Sequence, residues 1–184
     1  MATLTIKLPS HEAQNEFNLR RWDDLLADPE FLKIEGRIET DRFGRVIINA
    51  LAPPKHGFYQ ANVSFRLDSL MRRGQVMIAC PISTADGVRA ADVAWVSPQR
   101  IKELGNRSCF PHAPEICVEV LSPGNSDAEI EEKIALYFEA GASEVWICGT
   151  LGEMKFFSAA GAPHMPASKL CPDFPARIEL RLEP

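Results

Sequence analysis

The sequence lacks long hydrophobic runs and strong positive charge. No stretch of its 184 residues approaches about 18 uninterrupted apolar positions, the length that a membrane-spanning helix needs, so we expect no membrane partner. The first ten residues also lack the charged start and apolar stretch of an export signal. The formal net charge of −5 argues against a protein that coats nucleic acid by charge alone, but it leaves room for a local basic groove.

Cysteine is present, but not in the spacings that bind zinc or build a disulfide framework. The five cysteines include no CxxC pair, are odd in number and lie mostly in apolar runs. This usage is typical of reduced, buried thiols. We therefore predict a reducing compartment, the cytoplasm.

Internal repeats and low-complexity tracts are also missing from the sequence. With 46% hydrophobic residues, a chain of 184 residues is long enough for one domain with a real core and too short to expect two. We predict a single domain over 1–184. Its polar or proline-containing ends, roughly residues 1–18 and 159–176, have the composition of arms.

The predicted elements follow an order that is typical of a mixed α/β sheet with helices packed on it. A β-hairpin is predicted at 37–48, because two short strand-like segments flank a turn that ends in Gly44. A short helix at 22–26 precedes it. The elements predicted after the hairpin are a helix over 56–73, strands over 75–80, 91–96 and 115–121, a helix over 127–140, and strands over 145–148 and 154–157.

The helix predicted over 56–73 carries apolar residues on two sides. One stripe includes Phe58 and Phe65, and the other includes Val63 and Leu67. A helix that is apolar on two sides has to be covered on both. We therefore expect this helix to be well buried.

Two carboxylates, Asp92 and Glu119, stand inside stretches that otherwise have the composition of buried strands. A carboxylate almost never stays buried without a partner. Two of them on neighbouring strands repel each other unless a proton or a metal cation lies between them, so the pair suggests a divalent-metal site. Taken singly, each also fits an ordinary hydrogen-bonded carboxylate at a strand end.

The helix that follows the Glu119 strand can present polar groups to the same strand ends. Lys133 and Tyr137 are four residues apart and share one helical face. Two plainer interpretations stay open: Lys133 can pair with Glu129 on the solvent side, and Tyr137 can serve as a packing residue with a solvated hydroxyl.

Four segments of the chain form a combined pattern: Ala-Asp-Val-Ala-Trp at 91–95, Pro-Glu-Ile-Cys-Val-Glu-Val-Leu-Ser-Pro at 114–123, the helical segment 133–137, and 141–146. Together they resemble the Uma-type restriction endonuclease family of the PD-(D/E)XK nuclease superfamily. The resemblance covers roughly residues 20–158. It implies a restriction-endonuclease-like core, a central mixed sheet flanked by helices, with an N-terminal β-hairpin extension.

The resemblance also implies a divalent-metal-dependent endonuclease that hydrolyses the phosphodiester bonds of DNA. Asp92 and Glu119 would hold Mg²⁺ or Mn²⁺ together with the main-chain carbonyl of Val120, and Glu39 would be a further ligand. Such an ion lowers the pKa of a water and neutralises charge on the phosphate. By analogy with nucleases that cut both strands, we expect a homodimer.

Three further residues receive roles from the same resemblance. The usual motif has a lysine two residues after the acidic one, but Leu121 stands there, so Lys133 is the candidate for a relocated lysine that steadies the phosphate or orients the water. Tyr137 and His56 are expected to contact the substrate or to support the ligands. For His56, a plain polar position at a helix start is the alternative.

Of two departures from the family pattern, one favours a second hypothesis, as do the acidic net charge and the absence of an obvious basic run. Ala91 replaces the proline that commonly precedes the aspartate, which should be tolerated because proline is not a ligand. Ala79 stands where close relatives are expected to carry an acid. The alternative is therefore a catalytically degenerate nuclease fold that acts as a nucleic-acid-binding or protein-interaction module.

Overall fold

A computed structural model describes residues 10–49 and 51–180, and it contains a five-stranded mixed sheet flanked by helices. The helices are α1 (His11–Ala27), α2 (Pro54–Leu70), α3 (Pro98–Leu104) and α4 (Asp127–Glu139), with a short 3-10 helix at Phe31–Lys33. The strands are β1 (Arg37–Thr40), β2 (Val46–Asn49), β3 (Gln75–Thr84), β4 (Gly87–Val96), β5 (Ile116–Val120), β6 (Glu144–Cys148) and β7 (Met154–Phe157).

The main sheet has the strand order β3-β4-β5-β6-β7, and β1 and β2 form a separate hairpin. All neighbouring strands are antiparallel except β5 and β6, which run parallel and are joined through α4. A parallel pair requires such a crossover, and a helix usually provides it. The predicted hairpin is confirmed, with Glu39 opposite Ile47.

Strong end signals explain why α4 was predicted almost to the residue. The Ser126 side chain accepts a hydrogen bond from the Glu129 backbone N–H, and the Glu129 side chain accepts one from the Ser126 backbone N–H, forming a capping box. Gly141, at φ +101°, follows the C-terminus and adopts a conformation that other residues avoid. The helix that carries Lys133 and Tyr137 is therefore fixed at both ends.

The two faces of the sheet build two different cores because strand side chains alternate. Val118 packs with Val63 and Leu67 of α2 on one face. Cys117 packs with Ile134 and Tyr137 of α4 on the other. Glu119 belongs to the Cys117 side by this alternation, as the sequence predicted.

A third apolar cluster packs α1 and the β1–β2 hairpin against β4 of the main sheet. Trp22 and Leu25 of α1 pack with Val88 of β4, and Ile38 and Val46 of the hairpin lie against the same cluster. This contact brings β1 beside β4, and with it Glu39 toward Asp92. The hairpin is thus part of the site's scaffold.

The expectation that α2 is buried on two sides is wrong, because one of its apolar sides is exposed. Val63 and Leu67 are fully buried, but Phe58 and Phe65 are 57% and 72% exposed. Only the stripe with Val63 and Leu67 meets the sheet, because α2 lies on the outside of that layer and nothing in the described part of the chain covers its other side. Apolar periodicity predicted the helix correctly and its second contact wrongly.

Several boundaries also differ from the sequence predictions. α1 begins at His11 rather than at residue 22, and residues 11–18, assigned to an arm, form its first half, with Asn18 buried. The C-terminal segment supplies Phe174 and Ile178 to the α2-side core. Residues 1–9 of the predicted N-terminal arm lie outside the described residues.

The strands β3 and β4 are longer than predicted, and α3 was not predicted. A turn before Gly87 joins the two strands in one long hairpin. None of the helices in the described ranges combines the length and the apolar character that a membrane-spanning segment requires.

Candidate active site

Asp92 and Glu119 lie side by side on neighbouring strands of the main sheet. The antiparallel register of β4 and β5 pairs Val93 with Val118. Asp92 and Glu119 are the next residues along these strands, so they lie opposite each other. Each residue is only 3% exposed. Two carboxylates in this position need compensating charge or hydrogen bonds.

Asp92 is satisfied by three donors that come from three segments. Its Oδ1 accepts a hydrogen bond from Nη1 of Arg37 in β1. Its Oδ2 accepts one from the backbone N–H of Val120 at 2.7 Å and lies 3.2 Å from Nε2 of His56 in α2. The carboxylate therefore ties the hairpin, α2 and β5 together.

The partners of Asp92 outweigh the effect of its burial on the pKa. Burial alone would raise the pKa, but the hydrogen bond with His56 and the charge of Arg37 hold it below its ordinary value. For Arg37 the balance is similar: burial opposes the charged form, but the negative charges of Asp92, Glu119 and Glu39 together outweigh it, so the pKa is raised. Both groups are charged at neutral pH.

Glu119 receives both functional groups predicted on α4. The Tyr137 hydroxyl donates a hydrogen bond to Oε1 at 2.6 Å, and Nζ of Lys133 lies 3.1 Å from Oε2. Burial nevertheless dominates and raises the pKa of Glu119, because Lys133 offsets only part of it and the charge of Asp92 adds to it. Burial also raises the pKa of the Tyr137 hydroxyl well above its usual range, which keeps it a donor.

Glu39 is the third buried carboxylate of the site, at 3% exposure. Its Oε1 accepts a hydrogen bond from the Ala90 backbone N–H at 3.1 Å and lies 3.4 Å from Nζ of Lys133. Arg37 and Arg89 approach the same carboxylate at 3.8 Å and 3.6 Å. Lys133 therefore bridges Glu39 and Glu119.

The site is close to neutral in charge. Three buried acidic side chains face three basic ones within 4 Å: Glu39, Asp92 and Glu119 against Arg37, Arg89 and Lys133. Arg89 also pairs with Asp86, which in turn pairs with Arg42, so this neighbouring pair adds one charge of each sign. Burial of such a group of charges is tolerated only because the opposite charges are paired.

Two residues of α2 hold Asp92 from the other side. Gln60 donates a hydrogen bond to the main-chain carbonyl of Asp92 at 2.7 Å. His56 approaches the side chain, and its Nδ1 is buried with no hydrogen-bond partner among the described residues. An ionised Asp92 carboxylate can only accept a hydrogen bond, so the Nε2 that faces it is the donor.

The donor chemistry of the site fits a hard divalent ion. Within the described ranges, no group of three or more His, Cys, Asp or Glu side chains is arranged to enclose a metal. Mg²⁺ does not need such a cage, since it commonly binds one or two carboxylates and keeps several waters. Asp92 and Glu119, on adjacent strands, supply two carboxylates of this kind.

The structure brings together all the side chains that the sequence assigned to the site. These are Glu39, His56, Asp92, Glu119, Lys133 and Tyr137. Val120 contributes its N–H to Asp92, and the role of its carbonyl as a ligand stays a prediction. The sequence reasoning missed Arg37, Arg89 and Gln60.

A signal for Arg37 was present in the sequence. Arg37 and Glu39 are two apart on one strand and so share a face. If Glu39 points to the site, Arg37 does too. The partners of Arg89 and Gln60 depend on tertiary packing and had no comparable signal.

Leu121 and Ala79, two of the three positions that depart from the usual patterns, lie in different surroundings. Leu121 is half-buried and packs against the α4-side core. Ala79 is exposed on β3, between the pairs Ile78–Val93 and Cys80–Ala91, and therefore stands across from Asp92. Its φ of +52° is in the left-handed region, which is uncommon for a non-glycine residue.

Comparison with known families decides the classification of this fold and site. The family Uma2, described as "Putative restriction endonuclease", matches residues 28–150, which is about two thirds of the chain. The chain belongs to the Uma2 family. The family assignment and the restriction-endonuclease-like fold expected from the sequence are thus confirmed, and family and fold together indicate a nuclease.

A solved structure shares the fold of this Uma2 chain. It is a protein from Anabaena variabilis, described as "a putative nuclease belonging to DUF820". It superposes with a TM-score of 0.57 at 20% sequence identity, covering 77% of this chain and 89% of that one. No curated protein matches the chain.

Proposed function

We propose that this Uma2 protein is a divalent-metal-dependent endonuclease that hydrolyses phosphodiester bonds of DNA, with Asp92 and Glu119 as ligands of Mg²⁺ or Mn²⁺. The supporting observation is the pair of buried carboxylates on adjacent strands, with Lys133 on one of them. A structural role alone would not require so many buried charges, whose desolvation is costly.

The residues around the pair have separate roles in this proposal. Asp92 and Glu119 hold the ion, with the Val120 carbonyl and Glu39 as further oxygen ligands. His56 orients Asp92 through its Nε2 proton, and Gln60 holds the strand that carries Asp92. When bound, the ion activates a water and offsets the negative charge of the phosphate.

Lys133 and Tyr137 act from α4. Burial opposes the charged form of Lys133, but Glu119 and Glu39 outweigh it and raise its pKa, so Lys133 is a cation at neutral pH. Its ammonium can steady the non-bridging oxygens of the phosphate. Tyr137 stays protonated and orients Glu119 through its hydroxyl.

A direct test is cleavage of a DNA plasmid with Mg²⁺ or Mn²⁺ by purified Asp92→Ala and Glu119→Ala variants. We expect both to lose cleavage by at least about 100-fold, since each removes a ligand of the ion. Glu103→Gln is a matched control, because Glu103 is an ion-paired carboxylate on α3, away from the site. Cleavage that survives both alanine changes would refute the proposal.

The degenerate-fold alternative makes a different prediction in the same experiment. Ala79 leaves the position opposite Asp92 without an acid, which is the observation that favours it. A degenerate protein should show neither metal-dependent cleavage nor Mn²⁺ binding that depends on Asp92. Calorimetric titration with Mn²⁺ separates the two functions.

The organisation and setting of the protein complete the proposal. We infer a single domain, a homodimer that places two sites on opposite DNA strands, and a cytoplasmic location that suits the five free cysteines. Light scattering coupled to size-exclusion chromatography tests the dimer. A monomer with full cleavage of both strands would contradict it.

A further inference from the structure

Arg37 donates to the carboxylate oxygen of Asp92 that neither the backbone N–H of Val120 nor His56 engages. The Asp92 oxygen Oδ2 is engaged by the backbone N–H of Val120 and by His56. The other oxygen, Oδ1, accepts its hydrogen bond from the guanidinium of Arg37. Only Oδ1 has a partner on a long, partly exposed side chain.

We propose that Arg37 is a resident counterion of Asp92, which leaves the carboxylate when a divalent cation binds and then contacts a phosphate of the DNA. This inference rests on the proposed nuclease function, because it assigns Arg37 a part in that same site. It makes metal binding and DNA binding mutually dependent.

The charge balance of the site favours such an exchange. Three buried acids are already matched by three basic side chains. A divalent ion added with every basic group in place would leave the site with two excess positive charges, which burial makes costly. Moving Arg37 to a phosphate relieves this excess.

The position of Arg37 allows it to move. Its side chain is 28% exposed, whereas the side chains of Asp92 and Glu39 beside it are 4% exposed. Arg37 also lines an open cavity of about 210 Å³ together with Gly36, Ile38 and Ala79. A guanidinium released there keeps its charge and can bind a phosphate through two parallel hydrogen bonds.

Lys133 is less suited to this exchange. Its Nζ contacts two carboxylates, Glu119 at 3.1 Å and Glu39 at 3.4 Å, and its side chain is 17% exposed. Removing it would leave both acids without that charge. Arg37 has a direct hydrogen bond to Asp92 alone, and its second acid, Glu39, is 3.8 Å away.

The test is a calorimetric titration of the full chain with Mn²⁺ in the absence of DNA. Arg37→Gln should bind Mn²⁺ about tenfold more tightly than the unmodified protein, because the competing internal cation is gone. Arg45→Gln is the matched control, because Arg45 lies on the same hairpin but pairs with Asp41 at 2.6 Å, outside the site. The Mn²⁺ affinity of this variant should equal that of the unmodified protein.

A second measurement tests the phosphate contact. The affinity for a short DNA duplex is measured with Ca²⁺ at several salt concentrations. Because Arg37→Gln loses one phosphate contact, it should bind the duplex more weakly than the unmodified protein. Its slope of log affinity against log salt should also be smaller in magnitude by about 1. A role of Arg37 in folding alone would leave this slope unchanged in the folded variant.

The outcomes distinguish this inference from the proposed function. In one outcome, Asp92→Asn loses Mn²⁺ binding while Arg37→Gln binds Mn²⁺ as tightly as the unmodified protein. This outcome overturns the role of Arg37 but supports the metal site. Absence of Mn²⁺ binding in all variants overturns both. If Arg37→Gln fails to fold, Arg37→Lys keeps the charge with a single donor group and should tighten Mn²⁺ binding to a smaller extent, and an unchanged affinity overturns the inference.

Discussion

Two regions of this protein bury carboxylates in different ways. Glu144, at the start of β6, is 2% exposed, as deeply buried as Asp92 and Glu119. Its Oε2 accepts hydrogen bonds from Trp146 Nε1 at 2.7 Å and Ser168 Oγ at 2.6 Å. Its Oε1 accepts them from the backbone N–H groups of Lys169 and Leu170, at 2.7 and 3.1 Å.

The difference lies in the kind of donor. Glu144 is held by neutral groups, two of them in the backbone, which are fixed once the C-terminal segment has packed against β6. Asp92 and Glu119 are held largely by side chains, and Arg37 and Lys133 among these carry charge. Burial of a carboxylate therefore does not by itself mark a functional site, and it is their charged side-chain partners that make Asp92 and Glu119 candidates for one.

The largest expected effect that tests this comparison is the loss of stability in Glu144→Ala. The substitution leaves four donors without an acceptor, in the interior or partly buried, and should lower the free energy of unfolding by about 3 kcal/mol. Urea unfolding measures it. Asp92→Asn should lower stability less than Glu144→Ala does, but it should reduce DNA cleavage far more. A larger loss of stability in Asp92→Asn with a smaller loss of cleavage would remove the distinction between the two regions.

The two carboxylates of the site should respond oppositely to pH in the metal-free protein. The pKa of Glu119 is raised above its ordinary value of 4.5, so its contribution to stability is present below that value and is lost as pH rises through the folded-state pKa. The pKa of Asp92 is lowered, so its contribution is present above its ordinary value of 3.8 and is lost as pH falls through the folded-state pKa.

Unfolding at a series of pH values with a chelator present checks this difference. Glu119→Gln should gain stability relative to the unmodified protein as pH rises, whereas Asp92→Asn should lose it. Glu144→Gln serves as the comparison from the structural carboxylate. Parallel pH curves for the two site variants would contradict the opposite shifts.

The smallest expected effect is a gain of stability at Ala79. Its left-handed φ of +52° strains a residue with a Cβ, and Ala79→Gly relieves that strain at the cost of a more flexible unfolded chain. We expect a net gain of about 0.5 kcal/mol in the free energy of unfolding, measured by urea titration. A loss of stability would show that the surroundings favour the alanine.

The site was largely predictable because its signals are local. Asp92 and Glu119 stood out as acids in apolar strands, and the spacing of Lys133 and Tyr137 placed both on one face of a well-capped helix. Recognition of Glu39 came from the family pattern rather than from its neighbours.

The rest depended on contacts between distant segments. Arg37 meets Asp92 across 55 positions of sequence, and the acceptor role of Glu144 requires residues 24 to 26 positions later. The exposure of Phe58 and Phe65 shows the same limit, since periodicity predicts that a face is apolar but not what covers it.

The positive φ of Ala79 also bears on strand pairing between molecules. β3 is an edge strand of the main sheet, and it exposes Met77 and Ile78. An apolar edge with free N–H and C=O groups is a template for intermolecular strand pairing and aggregation. Ala79 at positive φ interrupts the regular extended run of that edge just before the segment that pairs with Phe110, which makes the edge a poorer template for an incoming strand.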